Sequence, residues 1–147
     1  MDGSLRKTIR RAPQALAVFL VLHGVAHGVG TAESFESAAE GSAVGYLGGL
    51  WSLSDPALLR TIGVLWALVA VAYLVPAWGY WGAASWRRRA LVAVTVPSLA
   101  LSVVALWAAV LGVAIDGLLL AFAWVTRQRE VATARAATGT TERPRAA

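Results

Sequence analysis

Long apolar segments alternate with short polar ones along this chain. Four apolar segments are present, at about 13–31, 58–77, 89–107 and 110–127. Each is close to the ~20 residues with which an α-helix crosses a hydrocarbon core about 30 Å thick. The pattern therefore predicts an all-α fold, a four-helix transmembrane bundle that occupies residues 13–127.

The last two apolar segments almost merge. The chain from Ala90 to Val125 contains no basic residue. As one helix this stretch would be about 54 Å long, well beyond the thickness of a bilayer. A tight hairpin near Trp107–Gly112 is therefore expected between the third and fourth helices.

The composition agrees with a membrane protein. Of the 147 residues, 58% are hydrophobic and 14% are charged, whereas soluble domains average roughly 25% charged residues. The absence of cysteine excludes disulfides, thiolate nucleophiles and cysteine-type zinc sites. All but one of the basic residues are arginine, a bias typical of GC-rich bacterial genomes. The expected setting is a multi-pass protein of a bacterial plasma (inner) membrane.

Charge predicts the orientation of the helices. Segment 32–57 carries four carboxylates, Glu33, Glu36, Glu40 and Asp55, but neither lysine nor arginine. Only Arg60 lies near the acidic loop, and the other twelve basic residues precede the first apolar segment, separate the second from the third, or follow the fourth: Arg6, Lys7, Arg10, Arg11, Arg87, Arg88, Arg89, Arg127, Arg129, Arg135, Arg143 and Arg145. Because basic flanks stay in the cytoplasm, both termini are expected to be cytoplasmic and the acidic loop 32–57 to lie outside.

The regions around the first and last helices are expected to be irregular. Residues 1–12 form a basic cytoplasmic N-terminus, and residues 128–147 are expected to be a disordered cytoplasmic tail. The glycine-rich outer loop leaves room for a short interfacial helix before Pro56. A cleaved signal peptide ending near Gly30–Ala32 is an alternative for the first segment, although two histidines are unusual in a segment that is discarded.

Three ionisable side chains fall inside the apolar segments: His23, His27 and Asp116. Such groups are costly in a bilayer, so each is a candidate functional residue. With a helical rise of about 1.5 Å per residue, His23 and Asp116 both lie about 16 Å from the cytoplasmic edge. We therefore expect them to be direct or water-bridged partners, because a histidine donor offsets the cost of a buried aspartate.

Three glycines surround the histidines on the first helix. Gly24 and Gly28 form a GxxxG step, and Gly30 lies seven residues beyond His23 on the histidine face. Small residues let two helix backbones approach closely in a membrane. Gly24, Gly28 and Gly30 are therefore candidate helix-packing positions.

The third apolar segment contributes hydroxyl groups. Thr95, Ser98 and Ser102 follow one another at i, i+3 and i+7, which places them on one side of a helix. Pro97 frees a backbone carbonyl in the same region. Together with His23, His27 and Asp116, these three hydroxyls make up the candidate intramembrane polar cluster.

Several chemistries fit this cluster, and the residues alone leave them open. Two histidines one helical turn apart cannot sandwich a single haem, and the chain has no third histidine. His23, His27 and Asp116 could supply the three protein ligands of a zinc ion, but the glutamate of an HExxH motif is absent, so no metal or cofactor is assigned. A proton-relaying or quinone-contacting pocket is the second alternative, and a hydrogen-bonded clamp that fixes helix register is the favoured one.

Signatures of soluble enzymes and of nucleic-acid binding are missing. The sequence has no GxSxG motif, no Walker loop and no GxGxxG between a strand and a helix, so an enzyme is not the favoured interpretation. The net charge of +5 comes from arginines that flank apolar segments, not from a solvated basic face that would follow phosphates. The expected partners are the lipid bilayer and either another membrane protein or a second copy of this chain.

Three stretches resemble a known group of proteins: "HGVAHGVG" on the first helix, Arg60–Val75 on the second and Gly112–Val125 on the fourth. The chain is similar here to small bacterial four-helix integral membrane proteins that are broadly DoxX-like, and the resemblance covers roughly residues 15–125. Its most specific part is the HGxAHxxG spacing. The resemblance implies the four-helix topology but no settled activity, and Asp116 stands where that group often carries asparagine.

Two functions are compatible with these observations. The first is a multi-pass membrane protein with a non-enzymatic role, a structural or accessory subunit that packs through its glycine seam. The alternative is a small carrier or redox helper whose His23, His27 and Asp116 pocket binds a proton, a quinone or a metal. A bound ligand would favour the second function, and a co-purifying protein partner the first.

Overall fold

The computed structural model describes residues 3–139 and, within them, the side chains of residues 12–105 and 109–137. This part of the chain contains five α-helices and one antiparallel hairpin: α1 Gly3–Glu40, β1 Val44–Tyr46, β2 Trp51–Leu53, α2 Pro56–Ala72, α3 Leu74–Trp81, α4 Arg87–Val104 and α5 Leu106–Gly139. Helices α2 and α3 follow each other within one apolar rod, Pro56–Trp81. The fold is therefore a bundle of four helical rods, and the predicted all-α bundle is confirmed.

Three of the rods contain helices long and apolar enough to cross a membrane, Ala12–Glu40, Pro56–Trp81 and Ala109–Ala137. Only 17–28% of their most apolar stretches is buried inside the bundle. Large side chains such as Leu22, Val25 and Leu118 are more than 60% exposed. Because a contiguous apolar surface of this extent is unfavourable in water, the outer face of the bundle is suited to lipid.

Neighbouring rods run antiparallel. Helices α4 and α5 contact each other where Ser102 meets Gly112 and where Ser98 bonds to Asp116. The chain therefore reverses near residue 107, in agreement with the predicted hairpin. Ala12, Tyr80, Arg87 and Glu130 line one hollow, so the N-terminal part of the α1 span, the end of α3, the start of α4 and the polar extension of α5 lie together.

The two ends of the bundle differ in charge. The end that carries Arg87, Arg88, Arg89 and Arg127 is called the basic end below. The opposite end carries Glu33, Glu36, Glu40 and Asp55 together with the β-hairpin, and is called the acidic end. At the basic end Arg88 Nη2 lies 3.5 Å from Glu130 Oε2, a partly exposed pair that contributes little to stability.

Two helices are much longer than the apolar segments that predict them. Helix α1 runs to Glu40 instead of ending at residue 31, so the first part of the predicted loop 32–57 is helical. Helix α5 runs to Gly139, and the prediction of a disordered tail is wrong for residues 128–139. Residues 1–2 and 140–147, which include Arg143 and Arg145, lie outside the described residues. The reason for the longer helices is that alanine, arginine and glutamate favour helix whether or not lipid surrounds them.

The remainder of the outer loop forms a hairpin rather than the expected interfacial helix. Strands β1 and β2 pair in antiparallel register with Tyr46 opposite Trp51. The reversal between them needs left-handed backbone, which Gly48 and Gly49 supply with φ angles of 70° and 85°. Asp55 then starts α2, because its carboxylate accepts hydrogen bonds from the Ala57 and Leu58 amides at 2.8 and 3.1 Å.

Buried apolar side chains form two separate clusters. The larger lies between the middle and the basic end of the bundle and consists of Ala17, Leu20, Val69, Tyr73, Ala77, Tyr80, Leu91, Leu119 and Ala123. The smaller lies under the hairpin at the acidic end and consists of Ala38, Tyr46, Leu53 and Leu59. The polar residues of the candidate site lie between these two clusters.

Candidate functional site

Asp116 is the centre of the site. It is fully buried, and three side chains bond to its carboxylate. His23 Nε2 lies 2.9 Å and Tyr73 Oη 2.8 Å from Oδ1, while Ser98 Oγ lies 2.7 Å from Oδ2. An ionised carboxylate only accepts hydrogen bonds, so all three groups donate to it. The equal depth of the two residues along their helices predicts the His23–Asp116 contact, and the structure contains it directly.

His27 joins this network through a second hydrogen bond. Its Nε2 atom lies 2.9 Å from Ser98 Oγ. Because the single hydroxyl proton of Ser98 is donated to Asp116, the Ser98 oxygen accepts from the His27 N–H. The His27 ring is also stacked between Trp66 and Tyr73, with centroid distances of 5.1 and 5.6 Å. Both imidazoles are thereby held with their Nε2 edges toward one carboxylate.

Local sequence explains why the helices present these groups. Pro76 has no N–H to bond to the Ala72 carbonyl, so the rod breaks between α2 and α3 at Tyr73. Tyr73 sits at that break with its side chain fully buried. On α4 the buried face is Leu91, Thr95, Ser98 and Ser102, the spacing of one helical stripe. The predicted hydroxyl stripe therefore points into the bundle.

Gly24 allows α1 to approach the second rod closely. A methyl group added at Gly24 would lie 2.7 Å from the backbone oxygen of Ala70 and 3.1 Å from the Tyr73 side chain. At Gly30 the added group would lie 2.9 Å from the Trp66 ring. Both glycines are thus packing positions, and they bring the Trp66 and Tyr73 rings against the histidines.

Gly28 does not share this role, and its assignment as a packing position is wrong. It is exposed, and nothing lies within 4 Å of a methyl group built on it. The buried positions of α1 include Ala17, Leu20, Gly24 and His27, which alternate steps of three and four residues. The next position of that stripe is Thr31. The second glycine of the GxxxG step, Gly28, therefore lies beside the stripe, on the outward face of α1.

A cavity of about 290 Å³ adjoins the histidines and extends toward the acidic end. His23 and His27 line its inner part, and Glu33, Ser34 and Tyr46 line the part under the hairpin. Val29 of α1 and Leu111 of α5 also line it and are 61% and 73% exposed. The cavity is therefore open along the gap between α1 and α5 in the acidic half of the bundle.

Two buried hydroxyls have no hydrogen-bond partner among the described side chains: Thr95 Oγ1 and Ser102 Oγ. Ser102 lines the cavity, whereas Thr95 lies deeper on the same helix face. A buried polar group without a partner is costly. The Ser102 hydroxyl is therefore an unsatisfied polar group in the wall of the cavity, buried behind its surface. Of the predicted polar cluster, His23, His27, Ser98 and Asp116 are joined by hydrogen bonds, and Thr95 and Ser102 flank them.

Electrostatics at the acidic end favour cations. Glu33 is the carboxylate among the residues that line the cavity. Burial, and then the negative charge of Glu33, raises the pKa of Tyr46 above its usual range. The Tyr46 phenol therefore stays protonated beside the cavity, and the one net charge of the cavity wall is negative.

Sequence reasoning missed the contribution of two aromatic residues. Tyr73 and Trp66 are expected from the sequence only as packing residues, but Tyr73 donates to Asp116 and Trp66 stacks on His27. A signal was present: both lie seven residues apart on the same face of an otherwise aliphatic segment. Aromatic side chains with a polar group usually find a partner when buried, and the histidines were the nearest candidates at that depth.

The donor set could hold a cation. One ligand atom from each of His23, His27 and Asp116 lies within 4.8 Å of the others. Imidazole nitrogen and carboxylate oxygen are ligands typical of zinc and related ions. The same groups also form a hydrogen-bonded network without a metal, so the geometry supports both a binding site and a structural clamp. No protein-family model matches the sequence, and neither the curated proteins nor the solved structures searched include a match.

Proposed function

We propose that this chain is a multi-pass protein of a bacterial plasma membrane, with four crossings and both termini in the cytoplasm. The exposed apolar faces of three rods support the membrane location. The segregation of basic and carboxylate residues to opposite ends supports the orientation, because basic flanks stay inside. Membership of the DoxX-like group belongs to this proposal, and the HGxAHxxG stretch supports it.

Helix α4 supplies the fourth crossing in this proposal. It has 18 residues and is about 27 Å long at the usual helical rise, and the part after its three leading arginines spans about 22 Å of a hydrocarbon core about 30 Å thick. Its three leading arginines, Arg87, Arg88 and Arg89, set it apart from the three more apolar spans. They lie at the basic end, where they would face lipid headgroups rather than the hydrocarbon.

We propose further that the protein binds a small ligand from the outer side, as a carrier or helper rather than as a purely structural subunit. The cavity carries this proposal, since it connects His23 and His27 to the acidic end. On the other side of the cluster, Leu20, Leu91 and Leu119 form part of an apolar core. The described conformation is thus a pocket that opens between α1 and α5 in the acidic half of the bundle, with the apolar core on the other side of the cluster.

The structural role is a second candidate, and the hydrogen bonds favour it. Asp116 of α5 is bonded to α1, to the α2–α3 junction and to α4, so it fixes the register of all four rods. In that role the protein would be an accessory subunit of a partner membrane protein. The clamp requires neither the cavity nor the free hydroxyl of Ser102, and these two features support the binding role.

Cysteine labelling tests the pocket and its orientation together, because the natural chain contains no cysteine. Ala26 lines the cavity, and its neighbour Val25 is 69% exposed on the outer surface of the bundle. We expect a charged, membrane-impermeant methanethiosulfonate to label Ala26→Cys in right-side-out vesicles but not in inside-out vesicles. Val25→Cys, at the same depth but facing lipid, should be labelled in neither.

The outcomes separate the two parts of the proposal. Labelling of Ala26→Cys in inside-out vesicles alone would reverse the orientation while leaving the pocket intact. Equal labelling of Ala26→Cys and Val25→Cys would mean that no water-filled pocket distinguishes the two positions. In that case the clamp would account for the polar cluster.

A further inference from the structure

We propose that His23, His27 and Asp116 bind one divalent first-row transition metal ion at the inner end of the cavity. This proposal rests on the binding role proposed above and names its ligand class. The observation behind it is the convergence of two imidazoles and one carboxylate, whose ligand atoms lie within 4.8 Å of one another. All three residues are buried, and two of them line the cavity.

The chemistry of the donors selects the class of ion. Imidazole nitrogens suit zinc, copper, nickel and iron, whereas calcium and magnesium prefer sites made of oxygen ligands. His23 and His27 are separated by one helical turn, a spacing that lets two imidazoles of one helix bind the same ion. Asp116 adds a carboxylate from a second helix, which gives three protein ligands from two elements.

The distances are compatible with a metal site after a small adjustment. Ligands of a tetrahedral zinc at ~2.1 Å lie about 3.4 Å apart. His23 Nε2 and Asp116 Oδ1 are already 2.9 Å apart, so this pair needs to open slightly. The widest pair must close by at most about 1.4 Å, which rotation of an imidazole ring about its side-chain bonds supplies without backbone movement.

Metal binding redistributes protons without any change in oxidation state. A neutral imidazole that donates from Nε2 carries one proton on that atom, and the hydrogen bonds of His23 and His27 fit this form. When Nε2 binds the ion, that proton moves to Nδ1 by exchange with water in the cavity, and the imidazole stays neutral. Asp116 remains ionised, so the ion and its three ligands together carry one positive charge for a divalent metal. Ser98 and Tyr73 keep their hydrogen bonds to the carboxylate and orient it.

The cavity gives the ion a route to its three protein ligands and leaves space for an additional ligand. Glu33 lies along the cavity wall and attracts cations toward its outer part. Three protein ligands leave at least one coordination position of the ion for water or a small anion. The unpartnered hydroxyl of Ser102 lies in the wall of the same cavity, and because it is fully buried it could bond to that additional ligand only after a small movement of the wall.

Zinc and cobalt are the probes for the natural chain. We expect the protein, purified in mild detergent, incubated with zinc and desalted, to retain about one zinc ion per chain by elemental mass spectrometry, as a site with three protein ligands predicts. Cobalt(II) in place of zinc should give visible absorption bands whose intensity indicates four-coordination. Zinc should also raise the melting temperature, because an ion that binds only the folded state stabilises it.

Substitutions of the ligand residues test where the ion binds. His27→Gln and Asp116→Asn keep hydrogen-bonding groups in the cluster but remove a ligand. We expect each to weaken zinc binding by more than the roughly 10- to 100-fold that loss of an outer-shell partner costs. Tyr73→Phe removes only such an outer-shell partner and should fall within that range. Glu36→Gln removes an exposed carboxylate outside the cavity, and it should bind zinc as the natural chain does.

Each result decides the proposal. A natural chain that retains no zinc and shows no cobalt spectrum would overturn it, and so would an Asp116→Asn variant that binds zinc as tightly as Glu36→Gln. If His27→Gln or Asp116→Asn fails to fold, the cobalt spectrum of the natural chain still gives the answer. Loss of zinc binding with normal labelling of Ala26→Cys would reject the metal while keeping the pocket. If the natural chain binds no zinc and Ala26→Cys is not labelled, the structural clamp remains as the explanation of the polar cluster.

Discussion

The two ends of the bundle differ in how closely their side chains pack. Toward the basic end, Leu20, Leu91 and Leu119 meet in an apolar core with side chains from every rod. Toward the acidic end, α1 and α5 leave a gap, and a cavity reaches the histidines under the β-hairpin. The polar cluster lies at the boundary between these regions, with one side against close packing and the other against an opening.

This difference shows what the cluster can exchange with its surroundings. A hydrogen-bonded clamp alone would be equally effective between two closed cores. The cavity that reaches His23 and His27 lies in the acidic half, so water, a proton or an ion has its route to the two histidines from that side in this conformation. Passage through the bundle would require the apolar core to open.

The largest expected effect comes from the close approach of α1 to the second rod. Leu at position 24 would meet the Ala70 carbonyl oxygen, which would lie only 2.7 Å from even the first carbon of an added side chain. We expect Gly24→Leu to lower the free energy of unfolding by about 3 kcal/mol, the upper part of the overpacking range. The measurement is unfolding in mixed detergent micelles.

Gly28→Leu is the matched control, one turn further along the same helix. Since nothing lies within 4 Å of its added methyl group, we expect a change of no more than about 0.5 kcal/mol. If the two variants lost equal stability, α1 would face the second rod differently, and the placement of both histidines would have to be revised.

A smaller loss of stability is expected when a side chain is shortened in the apolar core, and a still smaller one when it is shortened beside the cavity. Leu91 is fully buried in the core near the basic end, and Leu91→Ala would leave a void there. Because the reference state of a membrane helix is also surrounded by lipid, only the cavity cost applies, about 2 kcal/mol for the lost volume. Ile115 lines the existing cavity, so Ile115→Ala should cost less than about 1 kcal/mol. Equal losses in the same micelle assay would mean that the cavity is filled or closed in the protein.

The smallest expected effect is the coupling energy between His23 and Asp116, which lie at the boundary between the apolar core and the cavity. His23→Ala and Asp116→Ala should be non-additive in stability, since their side chains are 2.9 Å apart. Coupling between polar groups in membrane bundles averages only ~0.6 kcal/mol, so we expect a coupling energy of that order in a double-mutant cycle. Additive losses would show that Tyr73 and Ser98 satisfy Asp116 without His23.

Periodicity and helical rise predict the centre of this site better than its edges. The equal depth of His23 and Asp116 and the shared face of Thr95, Ser98 and Ser102 depend only on the geometry of a helix, and the structure contains both. The hairpin near residue 107 follows from the length limit of a bilayer. Each of these inferences uses a constraint that acts within one helix or across one membrane thickness.

The missed features depend on which helices are neighbours. GxxxG spacing treats Gly24 and Gly28 alike, but the second rod packs against Gly24 and leaves Gly28 exposed. Tyr73 becomes a hydrogen-bond donor to Asp116 because the rod breaks beside Pro76 and packs against α5 at that level. The ends of α1 and α5 were missed because hydropathy reports contact with lipid, whereas helix propensity also extends beyond the membrane.

The place of Asp116 on α5, after the other three rods in chain order, has a consequence for biogenesis. A ribosome synthesises α1, α2–α3 and α4 before α5, so His23, Tyr73 and Ser98 leave it before the carboxylate to which they later bond. Helix α5 therefore links the rods that are synthesised before it. The bundle reaches its final arrangement only after translation has passed α5, and a chain arrested after α4 would expose unpaired polar groups to lipid and to the quality-control proteases of the membrane.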